Sequence, residues 1–275
     1  MKPCKMIISD FDGTLFRSNH TISELTKQTI TRFVENGGLF AISTGRTLQS
    51  ILPIARNLGL KGVLACFNGS VIADIETGNV LFEKRHSVED TIEICQYLEE
   101  LQVYTIVFDM AEYYVKEESE LLEYYQKITG TTAKLTEKNL SEFVREKGVA
   151  CVKSLCIVGE EKRDFYLQKM REKFGDKYYL TSGGRHLIEI CPLGCTKGTA
   201  VKYLAESYGL TSDDVLAVGD GLNDLPMLQS AGLSFAVANA ETALKENATV
   251  YPYTNDEDAV ARIIMKYGLG ESVNE

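Results

Sequence analysis

The chain has 275 residues, 44% of them hydrophobic and 25% charged, which is enough to bury a substantial core in one large domain or two ordinary ones and argues against disorder. Its 39 acidic residues outnumber 29 basic ones, giving a formal net charge of -10. That field does not attract polyanions, so a nucleic-acid partner is not expected, although one or two local cations can still hold a phosphate.

In chain order, the apolar run Met6–Ser9 reads as a strand that leads directly into Asp10-Phe11-Asp12-Gly13-Thr14. Leu25, Ile30, Phe33 and Val34 recur at helical spacing between a Ser23 N-cap and Gly37. A second strand, Leu39–Ser43, ends at Thr44-Gly45-Arg46. Leu48, Ile51, Leu52, Ala55 and Leu58 then mark a helix interrupted by Pro53, and a third strand over 63–67 ends at Asn68-Gly69. Strand and helix alternating at this spacing predict a parallel sheet with ligands beyond its carboxyl ends, where each of these polar clusters falls.

From Ser70 the texture changes. Residues 71–74 and 80–82 flank Glu76-Thr77-Gly78-Asn79 as a hairpin, and residues 87–188 read as a separate α/β unit. In that unit helices are expected over 92–101, 121–125 and 161–174, and strands over 105–108, 113–115, 155–158, 178–181 and 187–191, with a polar stretch rich in Thr, Lys and Glu in the middle. The parallel pattern resumes with a helix over 197–208 and a strand over 215–218 that ends at Gly219-Asp220-Gly221-Leu222-Asn223-Asp224; short strands are expected at 235–237 and 249–251. The expected organisation is a core of 1–86 and 189–275 interrupted by an inserted domain, 87–188.

The seven cysteines lie mostly in apolar runs and read as reduced thiols of a cytoplasmic protein; Cys191 and Cys195 lack the second Cys/His pair of a zinc site. Met6-Ile7-Ile8 is too short for a signal-peptide core, and no span approaches the roughly 20 apolar residues of a membrane helix, so no membrane association is expected.

Asp10 and Asp12 leave one strand end together, and two such carboxylates can divide labour: one attacks phosphorus, the other exchanges protons with the leaving oxygen and with water. Taken alone, the pair reads first as an ordinary turn of the kind aspartates form. Phosphoryl chemistry also needs its charge neutralised, and Asp220 and Asp224 with Asp10 make an all-oxygen set suited to Mg²⁺, with helix capping the plain alternative for Asp224. Thr44 and Gly45 can grip an anion at a helix start or merely cap it. Lys197 is a fixed point charge or a solvated surface lysine. Ser182-Gly183-Gly184-Arg185-His186 offers either a plain turn between strands or a cationic loop, with Arg185 as the candidate substrate contact.

Together, Asp10-Phe11-Asp12-Gly13-Thr14-Leu15, Thr44-Gly45-Arg46, Lys197 and Gly219-Asp220-Gly221-Leu222-Asn223-Asp224, in that order and at those strand ends, resemble the haloacid dehalogenase (HAD) superfamily, and within it the Cof-type phosphatases with a large α/β cap. The resemblance spans nearly the whole chain and implies a Rossmann-like parallel-sheet core with an inserted α/β cap domain. It further implies Mg²⁺-dependent hydrolysis of small phosphorylated metabolites, such as sugar phosphates or phosphorylated cofactors, through an aspartyl-phosphate. Asp10 would be nucleophile and metal ligand, Asp12 general acid/base and a ligand through its backbone carbonyl, and Asp220 the third protein ligand. Thr44, Gly45, Lys197 and Asn223 would hold phosphate; Asp224 would orient the metal shell or Lys197, with Asn68 near the crevice. Ion-transporting relatives carry Thr in place of Asp12, and dehalogenating relatives do not keep the pair, so hydrolysis or mutase chemistry remains. A sugar phosphomutase, or a phospho-ligand sensor without turnover, are the alternatives.

Overall fold

The computed structural model describes residues 3–183 and 186–272. Two sheets organise it. In chain order the elements are β1 (Met6–Ser9), α1 (Glu24–Glu35), β2 (Leu39–Ser43), α2 (Leu48–Asn57), β3 (Val63–Cys66), β4 (Val71–Asp74) and β5 (Val80–Glu83). They are followed by α3 (Val88–Glu100), β6 (Tyr104–Phe108), β7 (Tyr113–Val115), α4 (Glu120–Thr129), β8 (Lys134–Leu135), α5 (Leu140–Lys147), β9 (Lys153–Ile157), α6 (Arg163–Phe174), β10 (Tyr178–Thr181) and β11 (Leu187–Pro192). The chain then returns with α7 (Lys197–Ser207), β12 (Val215–Gly219), α8 (Leu225–Ser230) and β13 (Leu233–Ala236).

The first sheet has the order β13-β12-β1-β2-β3-β4-β5. Its members from β13 to β3 are parallel, while β4 and β5 fold back antiparallel as the hairpin reading expected. β1 and β12 are buried along their whole lengths, as a parallel sheet covered on both faces requires. Ser23 accepts the Thr26 N–H at 3.0 Å to start α1, and α2 runs through Pro53 without a break.

The second sheet, β10-β11-β9-β6-β7-β8, is antiparallel apart from the β7–β8 pair. The fold is thus α/β, with a parallel-rich core sheet and an inserted α/β unit. The second sheet takes in β11 as far as Pro192, which pairs with Tyr178; its membership therefore extends past the 188 boundary read from the sequence. The polar middle stretch contains a helix that the sequence reading left unassigned, α5, whose Leu140 and Val144 bury one face beneath a charged exterior. Residues 249–251 make only an isolated bridge, Ala236 to Val250, in place of the expected strand. No helix of the described residues is long and apolar enough to cross a membrane.

Two glycines seat α7, the helix that begins with Lys197. Gly69 has a φ of +88°, and a side chain there would drive into the Thr196 carbonyl; Gly198 lets α7 close on α8, where a Cβ would overlap the Pro226 carbonyl. The neighbour in both cases is backbone, which cannot rotate away. Gly198→Ala should therefore lower unfolding free energy by about 1–3 kcal/mol in urea titrations; unchanged stability would show that the α7–α8 contact yields freely.

Candidate active site

Three chain segments converge where β1, β2 and β12 end. Asp10 follows β1 directly, and its backbone N–H continues the ladder to the Val218 carbonyl at 2.9 Å. Gly13 then turns with φ +78°; a Cβ there would strike the Asp220 carboxylate, so only glycine lets the first loop approach the last one this closely. Thr14 Oγ1 donates to Asp220 Oδ1 at 2.9 Å, tying the two loops together.

The Lys197 ammonium, 1% exposed, lies between two buried carboxylates, 2.5 Å from Asp10 Oδ1 and 2.6 Å from Asp224 Oδ1. It is a structural charge and not a solvated surface lysine. Burial alone would push its pKa down, but the attraction of Asp10 and Asp224 outweighs that and holds it well up. The other oxygen of Asp224 accepts the N–H groups of Asp220 and Gly221, each at 2.9 Å. Asp224 therefore both shapes the loop after β12 and orients Lys197. Asp224 stands at the N-cap of α8 but makes no side-chain capping bond to that helix.

Asp10, Asp220 and Asp224 offer carboxylate oxygens within 4.8 Å of one another, the one cluster of potential metal ligands among the described residues. Asp10 Oδ2 is buried with no hydrogen-bond partner, an expensive condition for a carboxylate oxygen unless a cation meets it. Burial, set against Lys197 and reinforced by the charges of Asp224 and Asp12, raises the Asp10 pKa to about 7. Burial and the neighbouring carboxylates likewise push Asp220 well above the usual range. Three carboxylates with a single ammonium leave excess negative charge in a buried space, and an oxygen-seeking divalent cation fits that donor set.

Asp12 is placed otherwise. Its half-exposed carboxylate is held by Arg46, whose Nε and one terminal nitrogen donate to its two oxygens, each at 2.7 Å. The guanidinium also lies over the Phe11 ring at 4.9 Å and near the Phe16 ring at 5.7 Å, so the planar fork is held by the carboxylate at its edge and by aromatic rings at its face. The sequence reading quoted Arg46 in its motif without giving it a task. Thr44 does not cap α2, a role that falls to Thr47; its hydroxyl accepts the Arg46 N–H at 3.1 Å within the loop.

Asn68 adopts φ 55° and Phe67 φ 49°, two successive left-handed residues that cost about 1–3 kcal/mol each. The turn presents the Asn68 amide to Glu189 Oε2 at 2.9 Å, and its carbonyl accepts from Asn223 Nδ2 at 3.2 Å. Glu189 in turn pairs with Lys153 at 2.6 Å, and the same ammonium donates to the Gly45 carbonyl at 2.7 Å. Lys153 lies on β9 and Glu189 on β11, so the second sheet reaches into the core loops with a fully buried ion pair. The sequence reading missed both. Their signal was a lysine within Val152-Lys153-Ser154-Leu155 and a glutamate within Leu187-Ile188-Glu189-Ile190, charges set in strands otherwise suited to full burial. Arg185, the expected substrate contact, lies outside the described residues.

A phosphoryl-transfer hydrolase is the class that this fold and this grouping of carboxylates, lysine and backbone loops define, and the chain is an enzyme of the phosphatase class. It belongs to the haloacid dehalogenase-like hydrolases, whose family model matches residues 7–264. Among its relatives, 5-amino-6-(5-phospho-D-ribitylamino)uracil phosphatase YwtE of Bacillus subtilis is 30% identical over 288 residues, covering 94% of this chain and 96% of the relative. Phosphatase YwpJ of the same organism is 29% identical, covering 94% and 98%. The crystal structure of a haloacid dehalogenase-like hydrolase from Bacteroides thetaiotaomicron superposes with a TM-score of 0.81 at 25% identity, covering 96% of this chain and 99% of that one.

A cation and a proton compete for Asp10. Calorimetric titration with a divalent cation should show affinity falling as the pH drops below about 7, the value to which Asp10 is raised, with proton release on binding above zero and largest at the acid end. Asp220→Asn should weaken binding at every pH. Affinity independent of pH from 5 to 8 would mean that the cation sits elsewhere.

Proposed function

We propose that this enzyme is a Mg²⁺-dependent phosphatase of small phosphorylated metabolites that works through an aspartyl-phosphate on Asp10. The observation that carries the reading is the unpartnered, buried Asp10 Oδ2 beside Asp220 and Lys197. Asp10, Asp220 and the backbone carbonyl of Asp12 would hold Mg²⁺, with Asp224 behind them; when bound, the ion neutralises charge on the phosphoryl oxygens and on the carboxylates.

Asp10 attacks phosphorus, the bond from phosphorus to the bridging oxygen breaks, and Asp12 gives that oxygen its proton. Asp12, now a carboxylate, takes a proton from water as the water oxygen attacks the aspartyl-phosphate, which frees Asp10 and inorganic phosphate. To begin, Asp12 must leave the Arg46 fork and hold a proton, since both of its oxygens are acceptors there. Lys197, the Thr44 hydroxyl, the Gly45 backbone and Asn223 meet the non-bridging phosphoryl oxygens, and Lys197 orients Asp10 and opposes the effect of its burial. Residues 87–192 act as the cap over this crevice, with 1–86 and 193–275 as the core.

The relatives named for a ribitylaminouracil phosphate support a phosphorylated cofactor precursor or a sugar-like phosphate as substrate. All seven cysteines are free, which supports a reducing, cytoplasmic setting.

Asp10→Asn should lower kcat about 10⁴-fold or more on any ester, as read by phosphate release with Mg²⁺. Wild-type activity in that variant would remove Asp10 from the chemistry. Asp12→Asn should cost about 10²–10⁴-fold on alkyl phosphates. On p-nitrophenyl phosphate, whose phenolate leaves without a proton, the same variant should give a burst stoichiometric with enzyme followed by slow turnover. Equal losses on both esters without a burst would deny Asp12 the proton-transfer role.

A further inference from the structure

The cavity above Asp10 has a volume of about 670 Å³ and is bounded by the core loops on one side and the second sheet's unit on the other. Its two halves differ in chemistry. The core half is polar and supplies Asp10, Asp12, Thr44 and Asn223. The cap half is built on α4, where Leu121, Tyr124, Tyr125 and Ile128 recur at the spacing of a single helix face and all line the cavity, with Leu155 of β9 and Leu187 of β11 opposite.

Three of the four side chains on this face stay solvated. Leu121 is 45% exposed, Tyr124 67% and Ile128 37%, although Leu122 next to them is buried in the core cluster. Solvated apolar side chains on a helix that already buries another face mark a surface kept for a ligand, and its continuity with the phosphoryl site fixes what that ligand is: the alcohol half of the ester. Tyr125 is held edge-on by Phe108 and Tyr113, with centroids 6.2 and 6.1 Å away, so part of the wall is rigid before anything binds.

A bare polyol seated there would lose water from its hydroxyls against leucine, isoleucine and tyrosine side chains that offer few partners.

We infer that the enzyme selects phosphate monoesters whose alcohol carries a flat ring, seated against Leu121, Tyr124 and Ile128 of α4. The inference rests on the phosphatase reading above and adds the substrate class to it.

Ribose 5-phosphate and uridine 5′-monophosphate share one phosphorylated sugar and differ by such a ring, so they isolate its contribution. With Mg²⁺, kcat/KM should favour uridine 5′-monophosphate by roughly tenfold or more, the range open to a single apolar pocket. Tyr124→Ala and Ile128→Ala, both at solvated positions whose truncation spares the core, should lower kcat/KM for the ring-bearing ester at least fivefold more than for ribose 5-phosphate, chiefly through KM. Equal rates on the two esters, a preference for ribose 5-phosphate, or a ring preference untouched by either variant would each overturn the inference. If even p-nitrophenyl phosphate is not hydrolysed, it is the phosphatase reading that fails. Calorimetry of the same two esters then decides: tighter binding of uridine 5′-monophosphate that the variants abolish supports the ring site, and equal binding refutes it.

Discussion

One buried ammonium organises this enzyme. Lys197 lies between Asp10 and Asp224, and each of the three would be costly to bury without the others. The rest of the core is arranged so that they meet. β1 and β12 run side by side and deliver Asp10 and the Asp220 loop to the same edge, while Gly69 and Gly198 let α7 settle close enough for its first residue to reach them. The arrangement does not balance, because Asp220 adds a carboxylate that no second lysine answers. That surplus negative charge suits the site to a divalent cation.

A second buried pair, Lys153 with Glu189, performs a different service. It belongs wholly to the second sheet, yet its hydrogen bonds end on Gly45 and Asn68 of the first. Glu189 takes the Asn68 amide nitrogen, which leaves the amide oxygen to face Asn223. The orientation of the Asn68 amide, and through it of Asn223, is thus set from the other half of the molecule. A buried ion pair is poor value for stability alone, and here Lys153 donates to the Gly45 carbonyl while Glu189 accepts from the Asn68 amide, so the pair ties down the loops that follow β2 and β3.

The core was legible in the sequence because its signals are local. A strand that ends on Asp10-Phe11-Asp12-Gly13-Thr14 announces both its position and its chemistry, and the same holds for the loop after β12. The second sheet was read less well, for physical reasons. Its hairpins and helices appeared near their places, but α5 hides its apolar stripe among lysines and glutamates, and Lys153 and Glu189 make sense only once strands far apart in sequence are paired through Ser154 and Ile190. Arg46 illustrates the same limit. Its motif was recognised, whereas its partner Asp12 and the Phe11 and Phe16 rings beneath it are facts of tertiary packing.

The position of β1 in the first sheet bears on how the chain is made. β1 is flanked by β2 on one side and by β12 on the other, and Lys197 stands 187 residues after Asp10. At ribosomal speeds of about 5–20 residues per second, roughly 10–40 s separate synthesis of the two. Throughout that interval one edge of a strand destined for full burial has no neighbour, and an edge of that kind invites pairing with other chains. Biogenesis therefore hinges on keeping an unfinished sheet shielded until the last third of the polypeptide leaves the ribosome.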